Sequence, residues 1–298
     1  MDDVHNAPAA ALGVRPRPTG GRGARLARLA GQNTIGLIGA ALIALVVAVA
    51  LLAPLLAPYG PAELVGRRLL PPSPAHPLGT DELGRDVLSR IVYGARVSLY
   101  VGVIAVGLAS LLGGALGVVA GYVGGWLDGA LTAIIDIMLA FPGLVLAIVI
   151  AGLLGPSITN AMIAIGIIST PVYARIARTA VVVIKSELYV DAAHVVGGGS
   201  LHIIRRHILP NIAAPLIVQT SLLFSTAVLA EAALSFLGLG IQPPDPSWGS
   251  MLNASRRFME TAPWLAIAPG LSIMLVVLGF NFLGDGMRDA LDPRLRQV

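Results

Sequence analysis

Apolar residues in this chain run in long unbroken stretches instead of alternating with polar ones. Six stretches reach the length of a membrane crossing: roughly 34–56, 97–122, 130–154, 158–174, 212–236 and 264–283. A helix needs about 20 apolar residues to cross a hydrocarbon core, so the pattern predicts six transmembrane helices. The first stretch is too long and too internal for a cleaved signal peptide, whose apolar part is about 7–15 residues. It is read as a retained helix. Pro171 interrupts the fourth. Between the fourth and fifth lies a polar, glycine-broken segment, YVDAAHVVGGGSLHIIRRHILPN, residues 189–211.

Composition agrees with a membrane protein. Of 298 residues, 56% are hydrophobic and 12% charged, where a soluble domain carries about 25% charged. Mean hydropathy is +0.82. The absence of cysteine excludes disulfides, thiolate metal sites and a cysteine nucleophile. The net charge of +4 calls for no nucleic acid, because membrane proteins concentrate arginine on the cytoplasmic side.

Arginine placement sets an expected orientation. Arg15, Arg17, Arg22, Arg25 and Arg28 precede the first span, which puts the N-terminus inside. Six crossings return the C-terminus inside as well. Arg175, Arg178, Lys185, Arg205, Arg206, Arg288, Arg294 and Arg296 then also lie inside. Seven arginines lie outside, five of them in the first outer loop: Arg67, Arg68, Arg85, Arg90 and Arg96, with Arg256 and Arg257 further on. The second span carries Gly113, Gly117 and Gly121 on one face, a row that lets another helix approach closely.

The polar segment is then a cytoplasmic loop. Residues 187–196 are expected to form a short helix, broken by Gly197, Gly198 and Gly199. Ser200 is placed as the N-cap of a second helix over 201–208. Pro210 marks the start of the fifth span, where its missing N–H costs nothing. Leu201, Ile204 and Ile208 fall at helical spacing and form an apolar stripe.

Catalytic readings find little support. A phosphate-cradling loop needs Gly-Lys followed by Ser or Thr, yet the only lysine, Lys185, follows Ile184. His194, His202 and His207 share the loop, but their spacings of eight and five do not put them on one helical face. They read as surface histidines, with no metal site expected. Asp136 lies within the third span. A carboxylate there is costly and turns toward protein or a water-filled cavity. Arg175 and Arg178 are its candidate partners, and its roles are an inter-helix pair or a pathway residue. Glu231, near the outer end of the fifth span, is expected to reach headgroups. Gly79-Thr80-Asp81 and Gly84-Arg85-Asp86 read as turns before a helix lying on the outer surface.

The loop carries a resemblance. Asp191-Ala192-Ala193, three residues, Gly197, nine residues, then His207-Ile208-Leu209-Pro210 resembles the cytoplasmic signature of ABC-importer permeases. That signature reads Glu-Ala-Ala, three residues, Gly, nine residues, Ile-x-Leu-Pro. Asp191 replaces Glu and keeps its charge. His207 replaces Ile, as is usual in the peptide branch. Glu231-Ala232-Ala233 spells the first three letters literally, but the following Gly238 is one residue too far and no Leu-Pro follows. The stretches HPLGTDELGRDVLSRIVYGARVSL (76–99), EAALSFLGLGIQPPDPSWGSML (231–252) and DALDPRLR (289–296) resemble the C-type permeases of dipeptide, oligopeptide and nickel importers.

The resemblance implies an all-α membrane protein of the type I ABC-importer permease kind, with both termini cytoplasmic and residence in the bacterial inner membrane. The first 30 residues carry no family signal; residues 1–33 read from their arginines as a basic cytoplasmic arm, expected to be disordered, and the apolar run gives a first helix over 34–56. An extracytoplasmic loop with a surface helix follows over 57–96. A five-helix core over 97–285 holds the coupling loop 175–211, and a cytoplasmic tail covers 286–298. Asp191, Ala192, Ala193, Gly197, His207, Leu209 and Pro210 are its expected ATPase-coupling residues. The implied partners are a homologous second permease, two ATPase subunits that bind ATP and Mg, an extracytoplasmic substrate-binding protein and lipid. The chain itself is expected to hold no cofactor and catalyse nothing. Relatives often carry an arginine three residues before the position of Asp136, where this chain has Ala133. The implied cargo is a short peptide. A nickel importer of the same family is the alternative, and a stand-alone secondary transporter, which would show broken helices and an inverted repeat, is the rival class.

Overall fold

The computed structural model describes residues 34–291; the expected arm and the end of the tail lie outside them. Among the described residues there is no β-strand, only an isolated antiparallel bridge between Thr80 and Asp86. Helix α1 spans Thr34–Leu51 and the short α2 Ala53–Leu56. The first apolar stretch is thus two helices, parted at Leu52 because Pro54 has no N–H to continue the ladder. Helix α3, Val87–Val123, is followed by α4, Gly125–Ala140, and α5, Gly143–Leu154. Helix α6 spans Ile158–Lys185, and two short helices follow, α7 Leu188–Val195 and α8 Ser200–Ile203. A π-helical turn, Ile204–Ile208, leads into α9, Leu209–Phe236. Helix α10, Trp248–Ser255, and α11, Trp264–Leu291, complete the chain.

Five helices are long and apolar enough to cross a membrane, and α4 with α5 supplies a sixth span bent by 90°. The third apolar stretch was expected as one helix. Phe141 and Pro142 break it, since both adopt extended backbone and Pro142 cannot donate to α4. The fourth was expected to end at Ala174, but α6 continues to Lys185, past a buried Pro171. Arg175 and Arg178 end the apolar run without ending the helix, because each has an acidic partner on α4.

The core is built on a parallel pairing of α3 with α6, whose contacts advance together along both helices. A Cβ on Gly113 would lie 2.6 Å from the Thr170 carbonyl oxygen, one on Gly117 2.4 Å from that of Ala174, and one on Gly121 2.8 Å from that of Arg178. Side chains there would force the helices apart, so the expected small-residue row is a packing seam. Gly39 of α1 abuts the backbone of α11 at Leu283 in the same manner. Helices α9 and α11 meet through stacked Phe224 and Phe280, with centroids 4.6 Å apart, and the Ser221 hydroxyl donates to the Phe280 carbonyl.

At the end of the bundle away from the polar loop, residues 57–86 fold over the start of α3. Asp86 N-caps α3 by accepting from the Ser89 N–H at 2.8 Å, and His76 Nδ1 lies 3.0 Å from its other oxygen. Asp81 accepts from the Arg85 N–H and Nε. The two expected turns are present, with Gly79 and Gly84 at positive φ. The expected surface helix is instead the first turns of α3, which runs from Val87 without a break. Glu231 does not reach outward to headgroups: it is 1% exposed and accepts from Ser235 at 2.8 Å, with Ser98 3.5 Å away. Neighbouring hydroxyls satisfy the carboxyl more cheaply than a route through the packed end of α9.

Candidate functional site: the polar loop and the charged face of α6

Helix α7 starts after Glu187 and buries one residue, Val190. It stops in a Schellman motif: the Gly198 N–H donates to the Ala193 carbonyl at 2.9 Å, and the Gly197 N–H to that of His194 at 3.0 Å. The motif needs a left-handed residue at its centre, and Gly197 takes φ +88°. That need explains the glycine six residues after Asp191. Gly199, not Ser200, caps α8, with no side-chain bond. The extended backbone at Gly199 turns the chain one residue earlier than expected.

The π turn then resets the helical face. Pro210 cannot bond to the carbonyl four residues back and its ring crowds that carbonyl, so the preceding turn widens. The Leu209 N–H reaches the Ile204 carbonyl, and the Asn211 side-chain amide donates to the His207 carbonyl at 2.6 Å. Buried positions become Ile203, Ile208 and Ile212, five and then four apart. The expected stripe is therefore corrected at Leu201, which is 61% exposed, while Ile204 is only partly buried.

These isoleucines pack with Val190, Val181 and Tyr122, tying the loop to the ends of α3 and α6. Lys185 completes the tie, donating from Nζ to the Tyr122 carbonyl at 2.6 Å. Val190, Ile203, Tyr122 and Lys185 are not in the signature. The outward side of the loop presents Asp191 and Ala192, with Leu188, Val195, Val196 and Leu201 as exposed apolar side chains. Ala193 is half-buried in the turn. The half-buried His207 ring lies 6.2 Å from Tyr189 and 6.0 Å from His202. Leu209 and Pro210 are exposed at the start of α9. Among the described residues, no group of three or more His, Cys, Asp or Glu side chains is placed to hold a metal.

Above the loop, α6 turns two arginines toward α4. Arg175 pairs with Asp136, and both side chains are 55% exposed. Arg178 forks onto both oxygens of Asp128, with Nη2 donating at 2.6 Å. The sequence left Arg175 and Arg178 open as partners of Asp136; the structure gives it Arg175. Asp128 went unnoticed, although a signal was present. Between Arg96 and Lys185 the chain has two arginines and two acids, a balanced set.

Residues 113–297 match a family described as the inner membrane component of binding-protein-dependent transport systems. The chain belongs to this family. Residues 31–72 of the permease also match the N-terminal transmembrane domain of oligopeptide transport permease C. It is 50% identical to the dipeptide transport system permease protein DppC of Alkalihalophilus pseudofirmus, over 89% of this chain and 88% of that one. The di/tripeptide transport system permease protein DppC of Pseudomonas aeruginosa is 45% identical, with both chains covered in full. The Escherichia coli K12 dipeptide permease protein DppC is 48% identical over 89% of this chain and 91% of its own. In fold, the permease matches a chain of the inward-facing MetNI methionine ABC transporter with a TM-score of 0.56 at 19% identity. That match covers 68% of this chain and 96% of the other. The permease is accordingly a multi-pass membrane component of the type I importer fold, and its relatives are named as permeases.

Proposed function

We propose that the chain is one permease subunit of an ATP-driven importer of short peptides. It pairs with a second permease and couples to separate ATPase subunits through residues 187–211. An extracytoplasmic binding protein delivers the peptide. The peptide assignment is supported by 45–50% identity to dipeptide and di/tripeptide permeases over most of the chain. The observation that carries the coupling assignment is the shape of the loop. One side is locked into the bundle by Val190, Ile203 and Ile208, while the other offers Asp191 amid exposed Val195, Val196 and Leu201. A rigid element with an unpartnered apolar face is suited to a groove on another protein. Movement of that partner would pass through the anchors into α6 and α9. Alternating access would follow from the two permeases rocking about a shared path.

The test is transport by the complex reconstituted from the cognate subunits in liposomes. Uptake of labelled dipeptide that needs ATP and the binding protein is expected. Nickel uptake without peptide uptake would overturn the substrate assignment, and transport by this chain alone would overturn the subunit assignment.

A further inference from the structure

Two features of α4 sit badly against lipid. The first is the break at Phe141–Pro142, where the span bends by 90° and both residues are exposed. Non-helical backbone inside a membrane persists only when buried in protein or lining a water-filled cavity, because hydrocarbon cannot bond the freed carbonyls. The second is the Asp136–Arg175 pair, each side chain 55% exposed. Arg175 lies ten residues before the end of α6, about 15 Å along the helix. A charge pair beside the apolar run of a span turns toward protein or water. Asp136 precedes the break by five residues, so both features lie within the last turn and a half of α4. Arg175 also lines an open groove between α6 and α9, together with Thr179, Asn211 and Pro215.

The neighbouring pair behaves differently. Arg178 and Asp128 are 31% and 19% exposed and joined by a two-pronged contact, which suits a fixed brace. Asp136 and Arg175 share one contact, and an ion pair this exposed on the chain opens at little cost where water reaches it. A free peptide carries an ammonium at one end and a carboxylate at the other. Asp136 can hold the first and Arg175 the second.

We propose that this face of α4 and α6 is a wall of the translocation path, and that the Asp136–Arg175 pair opens to hold the charged ends of the peptide in transit. The inference rests on the peptide-importer reading for its cargo, but not for the location of the path.

Ala133 and Ala140 flank Asp136 one turn away on either side, and both are exposed. The chain has no cysteine, so Ala133→Cys and Ala140→Cys each give a single reporter. The assembled complex is treated with a charged, membrane-impermeant thiol reagent, with Leu45→Cys on α1 as the lipid-level control. Both reporters should react in the nucleotide-free complex and slow at least about tenfold when ATP and vanadate close the ATPase pair, while the control stays unreactive. Reporters as inert as the control would mean that the second permease covers this face, and reactivity indifferent to nucleotide would mean that it lies outside the path; either result overturns the proposal. Asp136→Asn and Arg175→Gln should assemble normally yet lower maximal dipeptide uptake about two- to fivefold, as expected for a solvent-exposed charge contact. Unchanged uptake in both variants would overturn the exchange of partners. A parental complex that imports no peptide would overturn the cargo reading, and the labelling would still decide the path.

Discussion

Glu231 is a carboxyl group deep in a helical bundle with hydroxyls, not a cation, around it. Ser98 comes from α3, Ser235 from the next turn of α9, and Ser247 from the segment that caps α10. Ser235 passes the contact on by accepting from the Ile241 N–H at 3.2 Å. One side chain thus joins three parts of the end of the bundle away from the polar loop. Its worth lies in satisfying these groups, because a buried polar group left unpaired costs about 1–3 kcal/mol. Glu231→Gln keeps an oxygen for the hydroxyls and is expected to preserve the yield and melting temperature of the purified complex. Glu231→Leu keeps the volume and strands the serines, at roughly 2–3 kcal/mol. Thermal unfolding of the two variants in detergent checks this, and equal melting temperatures would remove the network from the account of the fold. Nothing in the sequence announced the role. A glutamate near a helix end looks the same whether it turns outward or inward, and of the serines that decide it Ser98 is 133 residues away in the chain.

At the scale of elements, small residues set what approaches what. On Gly117 a methyl group would sit 2.4 Å from the Ala174 carbonyl oxygen and 2.6 Å from Ala177 Cβ. Gly117→Ala is expected to destabilise the α3–α6 seam by about 1–3 kcal/mol, as overpacking does. Gly107, where an added methyl group would meet no atom within 4 Å, is the matched control. Expression and melting of the two alanine variants measure the difference. The loop obeys a second rule, in which conformation matters more than size. Gly197→Pro cannot take the left-handed φ of +88°, and Asp191→Arg inverts the charge on the outward face. Both are expected to leave the membrane helices intact while ATP hydrolysis and peptide uptake become uncoupled. Normal substrate-stimulated uptake in both would remove the loop from its coupling role. The glycine spacings of both elements were legible in the sequence, because a seam and a Schellman turn each demand glycine at fixed positions. The buried face of α8 was not. A reading at 3.6 residues per turn selects Leu201, Ile204 and Ile208, whereas the π turn before Pro210 delivers Ile203, Ile208 and Ile212.

For the whole molecule, six apolar stretches and the family resemblance were enough to give the fold class, because hydrocarbon allows a spanning chain few choices. The broken third span escaped that reading, since a window average across 130–154 does not register one proline after Phe141. Orientation rests on the arginines alone, and the long first outer loop weakens the bias with five of them. The structure makes that loop less anomalous. Arg85 lies against Asp81, Arg90 donates to the Pro61 carbonyl, and Arg96 donates to the Ala50 carbonyl at 2.6 Å. Arginines engaged this way are folded into the cap of the bundle. The count over the whole sequence still favours the end that carries the polar loop. The expected outcome is that Ser186 faces the cytoplasm and Ala62 and Glu260 face the opposite side. All three are exposed, and a chain without cysteine reports each substitution alone. In intact cells, an impermeant thiol reagent added outside should label Ala62→Cys and Glu260→Cys and spare Ser186→Cys until the cells are broken. Strong labelling of Ser186→Cys from outside would invert the molecule. The polar loop could not then meet a cytoplasmic ATPase, and the coupling role would fall together with the orientation.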